Sequence, residues 1–186
     1  MFGSAHATLI DFEGFGASQF VSNQVSGVTI SSFENGVDTG LGGFLMVDGD
    51  PWSGLQINGN GVLTNCLTAT CQFAEENRAD VLRLNFDNFV GNLSLIFDGD
   101  GGLSTFNAYD GNGNLLESIM AASEPVTVNF TASAISYLDV LQQFDNFAYS
   151  IDDLSFDVVD VPEPASIAVL ALGLLGLGAN RKRKAA

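Results

Sequence analysis

Apolar and polar residues alternate in short runs along most of this chain, the two-residue period of strands whose two faces differ in burial. The runs are Leu9-Ile10-Asp11-Phe12-Glu13, Val28–Ile30, Phe44–Val47, Val81–Phe86, Leu93–Phe97, Ser104–Tyr109, Leu115–Met120, Val126–Phe130 and Ile135–Leu138. Turn chemistry separates them: Asp48-Gly49-Asp50-Pro51, Asn58-Gly59-Asn60-Gly61, Asp98-Gly99-Asp100-Gly101-Gly102 and Asp110-Gly111-Asn112-Gly113-Asn114 supply the positive-φ residues that tight connections need. Nine or more short strands with no helical period between them predict an all-β, antiparallel β-sandwich over residues 8–160. Phe12, Phe44, Phe86, Phe97, Phe130 and Phe156 alternate with polar neighbours and are expected in the core.

The last strand breaks its own alternation. Phe147, Tyr149 and Ile151 are apolar at odd positions, whereas Leu154, Phe156 and Val158 are apolar at even ones, so the phase flips across Asp152-Asp153. A flip inside one strand requires an extra residue, and such a β-bulge re-aims side chains, here two adjacent acids.

Charge and cysteine content narrow the function. Residues 8–161 carry 21 acids against Arg78 and Arg83, with no lysine, for a net charge of −19. Such a surface repels nucleic acid and anionic lipid headgroups and favours cations, cationic partners or solubility outside the cell. Fifteen phenylalanines and the β-branched runs supply the apolar surface that disordered acidic chains lack. Cys66 and Cys71, with four residues between them, are expected to form a disulfide pinning a short loop in an exported chain.

The only histidine, His6, lies in Ser4-Ala5-His6-Ala7, whose small-x-small pattern before Thr8 marks residues 1–7 as an expected signal-peptide remnant, with the reading frame opening upstream. Without a histidine in the body there is no Ser-His-Asp triad, no Cys-His pair and no histidine-ligated metal. Two carboxylates suffice for glycoside hydrolysis, but Glu34, Glu75, Glu76, Glu117 and Glu124 single out no pair. The expectation is a protein that is not an enzyme. Asp110–Asn114 opens like a calcium loop but has Leu115 at its sixth position and Ala121 at its twelfth, so it reads as a hairpin turn. Trp52, in the turn Asp50–Gly54, is the first candidate for stacking on a sugar, with Tyr109 and Tyr137 behind it; the other reading has Trp52 capping the core.

Residues 161–186 differ in kind. Val161-Pro162-Glu163-Pro164 leads into an uncharged run, Ala165–Ala179, closed by Arg181-Lys182-Arg183-Lys184. As a helix the run is about 22 Å long, and counting from Val161 to Asn180 roughly closes the gap to the ~30 Å hydrocarbon core. The one-sided basic cluster keeps its end cytoplasmic and places the preceding body on the far side of the membrane. Pro162 and Pro164 hold an extended segment at the membrane surface, accessible to a processing enzyme.

This order of Pro162-Glu163-Pro164, short glycine-containing apolar helix and basic cluster resembles the PEP-CTERM sorting signal of Gram-negative bacteria. The resemblance implies recognition and processing by an exosortase and association with extracellular polysaccharide. The other reading of the segment is a single-span anchor that is never cut. The opening Ile10–Glu13 and closing Tyr149–Phe156 runs look like the first and last strands of jelly-roll carbohydrate-binding modules. That resemblance implies neighbouring terminal strands sharing a structural calcium ion, with Glu13 and Asp153 as principal carboxylates and Asp11 or Asp152 and backbone carbonyls completing the oxygens. The alternative is that these are solvated strand-face acids. The chain is thus expected to be an exported, non-enzymatic surface or matrix protein, anchored in the inner membrane before processing, with a jelly-roll-like sandwich followed by one transmembrane helix. A carbohydrate-binding module with a defined saccharide site is the alternative, and a carboxylate-dependent glycosidase the remote one.

Overall fold

The structure, a computed structural model, describes residues 7–15, 19–46, 61–68, 78–99, 103–122, 125–142 and 148–159. All regular structure among them is antiparallel strand. In chain order these are β1 (Ala7–Ile10), β2 (Gln19–Val21), β3 (Val28–Glu34), β4 (Val37–Asp38), β5 (Gly43–Met46), β6 (Val62–Thr64), β7 (Val81–Gly99), β8 (Leu103–Tyr109), β9 (Leu115–Ala122), β10 (Val126–Asn129), β11 (Ile135–Gln142) and β12 (Tyr149–Val158). No helix among the described residues is long and apolar enough to cross a membrane, and the expected transmembrane helix lies outside them.

One strand ties the sandwich together. The first half of β7 pairs with β3 and β11, and the second half with β12 and β10. Beyond β11 the sheet continues through β8 to β9; beyond β12 it continues through β6 and β5 to β2, with β1 also on β12. The sequence predicts two strands here, Val81–Phe86 and Leu93–Phe97, and the structure joins them. Leu82, Leu84 and Phe86 are buried at even positions and Leu93, Leu95 and Phe97 at odd ones. Asn92, at φ 49°, takes up the change of phase without interrupting the strand.

The core fills the space between the two halves. Phe97 from the second half of β7 meets Phe106 of β8 edge to face, with ring centroids 5.0 Å apart, and Phe86 meets Phe156 in the same way at 5.1 Å. All six phenylalanines assigned to the core are buried, with Phe44 in a smaller cluster alongside Met46, Val62, Cys66 and Ala148. Tyr149 is fully buried and donates its hydroxyl to the Val140 carbonyl at 3.1 Å. Desolvation pushes that phenol's pKa upward, so it stays a donor.

Candidate functional site

Two places on the sandwich gather side chains with chemistry. The first lies where the terminal strands meet. β1 pairs with β12 from Ala7↔Asp157 to Ile10↔Leu154, which brings Asp11 and Glu13 beside the closing strand. Phe12, at φ 54°, turns the chain while its ring stays in the core. On β12 the pairing with β7 slips between Asp152 and Ser155, and Asp153 has φ 48°. This is the bulge that the phase flip predicts. It leaves Asp152 only 1% exposed, its Oδ1 accepting the Asp153 N–H at 2.8 Å.

Burial pushes the Asp152 carboxyl up to about 7; the Asp153 N–H works against this, and the nearby charges of Asp153, Glu13 and Asp11 add to it. The other three acids named from the sequence therefore all lie near enough to act on Asp152. Oxygen donors of this kind suit a hard cation. As placed, however, no group of three or more His, Cys, Asp or Glu side chains among the described residues is arranged to hold a metal ion.

The second place is the outer face of β3, β7, β11, β8 and β9. Register sets Ser31, Arg83, Asp139, Asn107 and Ser118 in one row across these strands. The next row is Thr29, Asn85, Tyr137, Tyr109 and Leu115. Arg83 grips Asp139 with two prongs, Nε to Oδ1 at 2.6 Å and Nη2 to Oδ2 at 2.8 Å. The Asp139 hydrogen bond raises the guanidinium's pKa, against the opposing effect of burial. The guanidinium also lies 4.3 Å from the Tyr137 ring centroid and 5.0 Å from that of Phe33. Tyr137 stacks on Tyr109 at 4.8 Å with 15° between the planes. Four strands thus contribute one column, Phe33, Arg83, Tyr137 and Tyr109. Sequence reasoning named the two tyrosines but missed Arg83 and Asp139; oppositely charged residues at the polar positions of two alternating strands, in a body with two arginines, were the available signal.

Other candidates fall elsewhere. Glu117 caps a loop, accepting the N–H groups of Thr131 at 2.8 Å and Ala132 at 2.7 Å. Cys66 is disulfide-bonded, while Cys71, its expected partner, lies outside the described residues. So do Trp52, Pro162, Glu163, Pro164 and the basic cluster Arg181–Lys184.

Among solved structures the chain is similar to a carbohydrate binding module of family 29, at 13% identity over 83% of this chain and 90% of that chain, with a TM-score of 0.44. Two mutants of family 29 modules give comparable figures: 14% identity over 81% and 91% with a TM-score of 0.43, and 13% over 87% and 99% with 0.45. No curated protein matches the chain. Residues 160–184 match the model of the PEP-CTERM protein-sorting motif, and the chain carries that sorting signal directly after its sandwich.

Proposed function

We propose that this protein is an exported, non-enzymatic component of the cell surface or extracellular matrix, processed by an exosortase and associated with extracellular polysaccharide. The observation that carries the reading is the sorting motif at residues 160–184, which begins two residues beyond the end of β12 at Val158. In this reading the apolar run holds the precursor in the inner membrane, and Pro162-Glu163-Pro164 is the segment the enzyme grips. Expression of the precursor with and without an exosortase tests it by intact mass and fractionation. With the enzyme, a product shortened within 160–184 leaves the membrane fraction; identical mass and location in both hosts overturns the reading.

A second reading, saccharide binding by the sandwich itself, is favoured by the column on the outer sheet face. It combines aromatic rings with amide and hydroxyl groups at the surface, the mixture that orients a ligand which is apolar on its faces and polar at its rim. Calcium on Glu13 and Asp153, with Asp11 or Asp152, belongs to the same proposal as a structural ion. Millimolar calcium then raises the thermal midpoint, and Asp153→Asn cancels the rise. An unchanged midpoint removes the ion.

A further inference from the structure

The column on the outer face ends at Tyr109, half-buried on β8. Tyr137 is flanked on the β7 side by Arg83 and on the β8 side by Tyr109, so neither of its ring faces is available. Tyr109 is different. Its far side looks toward β9, where its register partner is Leu115, 54% exposed. Beside it on β8, Asn107 Oδ1 accepts the Ser118 hydroxyl at 2.7 Å, which fixes the amide and orients its N–H donors.

We propose that the outer face of Tyr109, with Leu115 and the Asn107 amide, is a subsite for an uncharged sugar residue of a polysaccharide. The inference rests on the saccharide reading and adds its place and ligand class. A pyranose presents C–H groups on its faces and hydroxyls at its edge. The ring of Tyr109 and the Leu115 side chain receive the first, and a fixed amide receives the second.

Charge selects against acidic sugars. Residues 8–161 contain two basic side chains, and Arg78 is only 8% exposed. Arg83 already gives two N–H groups to Asp139 and has Phe33 and Tyr137 against its plane. Asp110, next to Tyr109, is held ionised: the Asn114 side-chain amide and the Asn114 and Asn112 N–H groups keep its carboxyl below the usual range. A uronate or sulfate brought to Tyr109 loses water, finds no uncommitted cation among the described residues and meets a fixed negative charge.

Native affinity electrophoresis of the full chain in detergent tests this, with soluble neutral polysaccharides (glucan, mannan, xylan) against polygalacturonate and alginate. At least one neutral polymer retards the wild type, binding is about tenfold weaker in Tyr109→Ala, and Tyr109→Phe behaves as wild type. Any polyuronate retardation through the basic cluster Arg181–Lys184 is the same in wild type and Tyr109→Ala. If Tyr109→Ala unfolds, Leu115→Asp at the exposed neighbouring position leaves the column intact and still removes neutral-polymer retardation. Asp139→Asn frees Arg83 and increases retardation by polyuronate. Neutral binding that survives both Tyr109→Ala and Leu115→Asp overturns the subsite. Polyuronate binding that depends on Tyr109 overturns the ligand class and leaves the saccharide reading standing. Retardation by no polysaccharide of either kind overturns the saccharide reading and the subsite with it.

Discussion

Arg83 and Asp139, one strand apart on β7 and β11, meet as a two-pronged ion pair whose Nε–Oδ1 distance is 2.6 Å. The carboxylate is the more enclosed partner, with 11% of its side chain exposed against 31% for the arginine. Removing the arginine therefore strands a nearly buried charge. Arg83→Ala is expected to lower stability by about 2 kcal/mol, read as a lower urea midpoint at unchanged slope. Arg83→Lys recovers part of the loss, because an ammonium keeps the charge but not the planar fork or the stacking. An alanine variant as stable as wild type would show that the pair contributes only surface-level energy.

Asp152 makes stability depend on pH in the direction opposite to most carboxylates. Its folded pKa is about 7, above its ordinary value of 3.8, so between these values the folded state holds a proton that the unfolded state has released. The contribution is fully present below about pH 4 and is lost as pH rises toward 7. In chelator, the thermal midpoint of wild type minus that of Asp152→Asn should fall across this window and level off above it. A flat difference would mean that Asp152 titrates alike in the folded and unfolded chain.

Gly61 lies against the turn that positions Asp11 and Glu13. A Cβ there would stand 2.6 Å from the Phe12 carbonyl oxygen, a backbone atom that cannot swing aside. Gly61→Ala should cost ~1–3 kcal/mol through that overlap, and amide exchange should quicken around Phe12 and β1. A neutral effect on both would indicate that the turn shifts freely.

Phe97 is 1% exposed and touches Phe106 at 5.0 Å and Tyr149 at 5.7 Å between ring centroids. It links the second half of β7 to β8 across the core. Phe97→Ala should lower stability by ~3–5 kcal/mol, and Phe97→Leu by clearly less, because the leucine refills part of the cavity. Equal losses would place the cost in the aromatic contacts instead of the volume.

The sequence by itself determined whatever depends on neighbours along the chain. Strand alternation marks Phe12, Phe44, Phe86, Phe97, Phe130 and Phe156 as interior, because the pleat sends successive side chains to opposite faces. The phase flip at Asp152-Asp153 announces the bulge for the same reason. The sorting motif is legible as a linear order of proline, apolar run and basic cluster.

Only the tertiary structure decided which distant residues face each other. Phe33, Arg83, Tyr137 and Tyr109 come from four strands, and their column exists because the registers Ser31↔Arg83, Asp139↔Arg83 and Tyr137↔Tyr109 align them. Alternation puts each of these residues on a face, but register sets its neighbours on that face, and register depends on pairing between segments up to tens of residues apart. The same holds for β7, where the positive φ of Asn92 lets one strand serve both halves of the sandwich, and for Asp152, whose burial follows from the strands packed around its bulge.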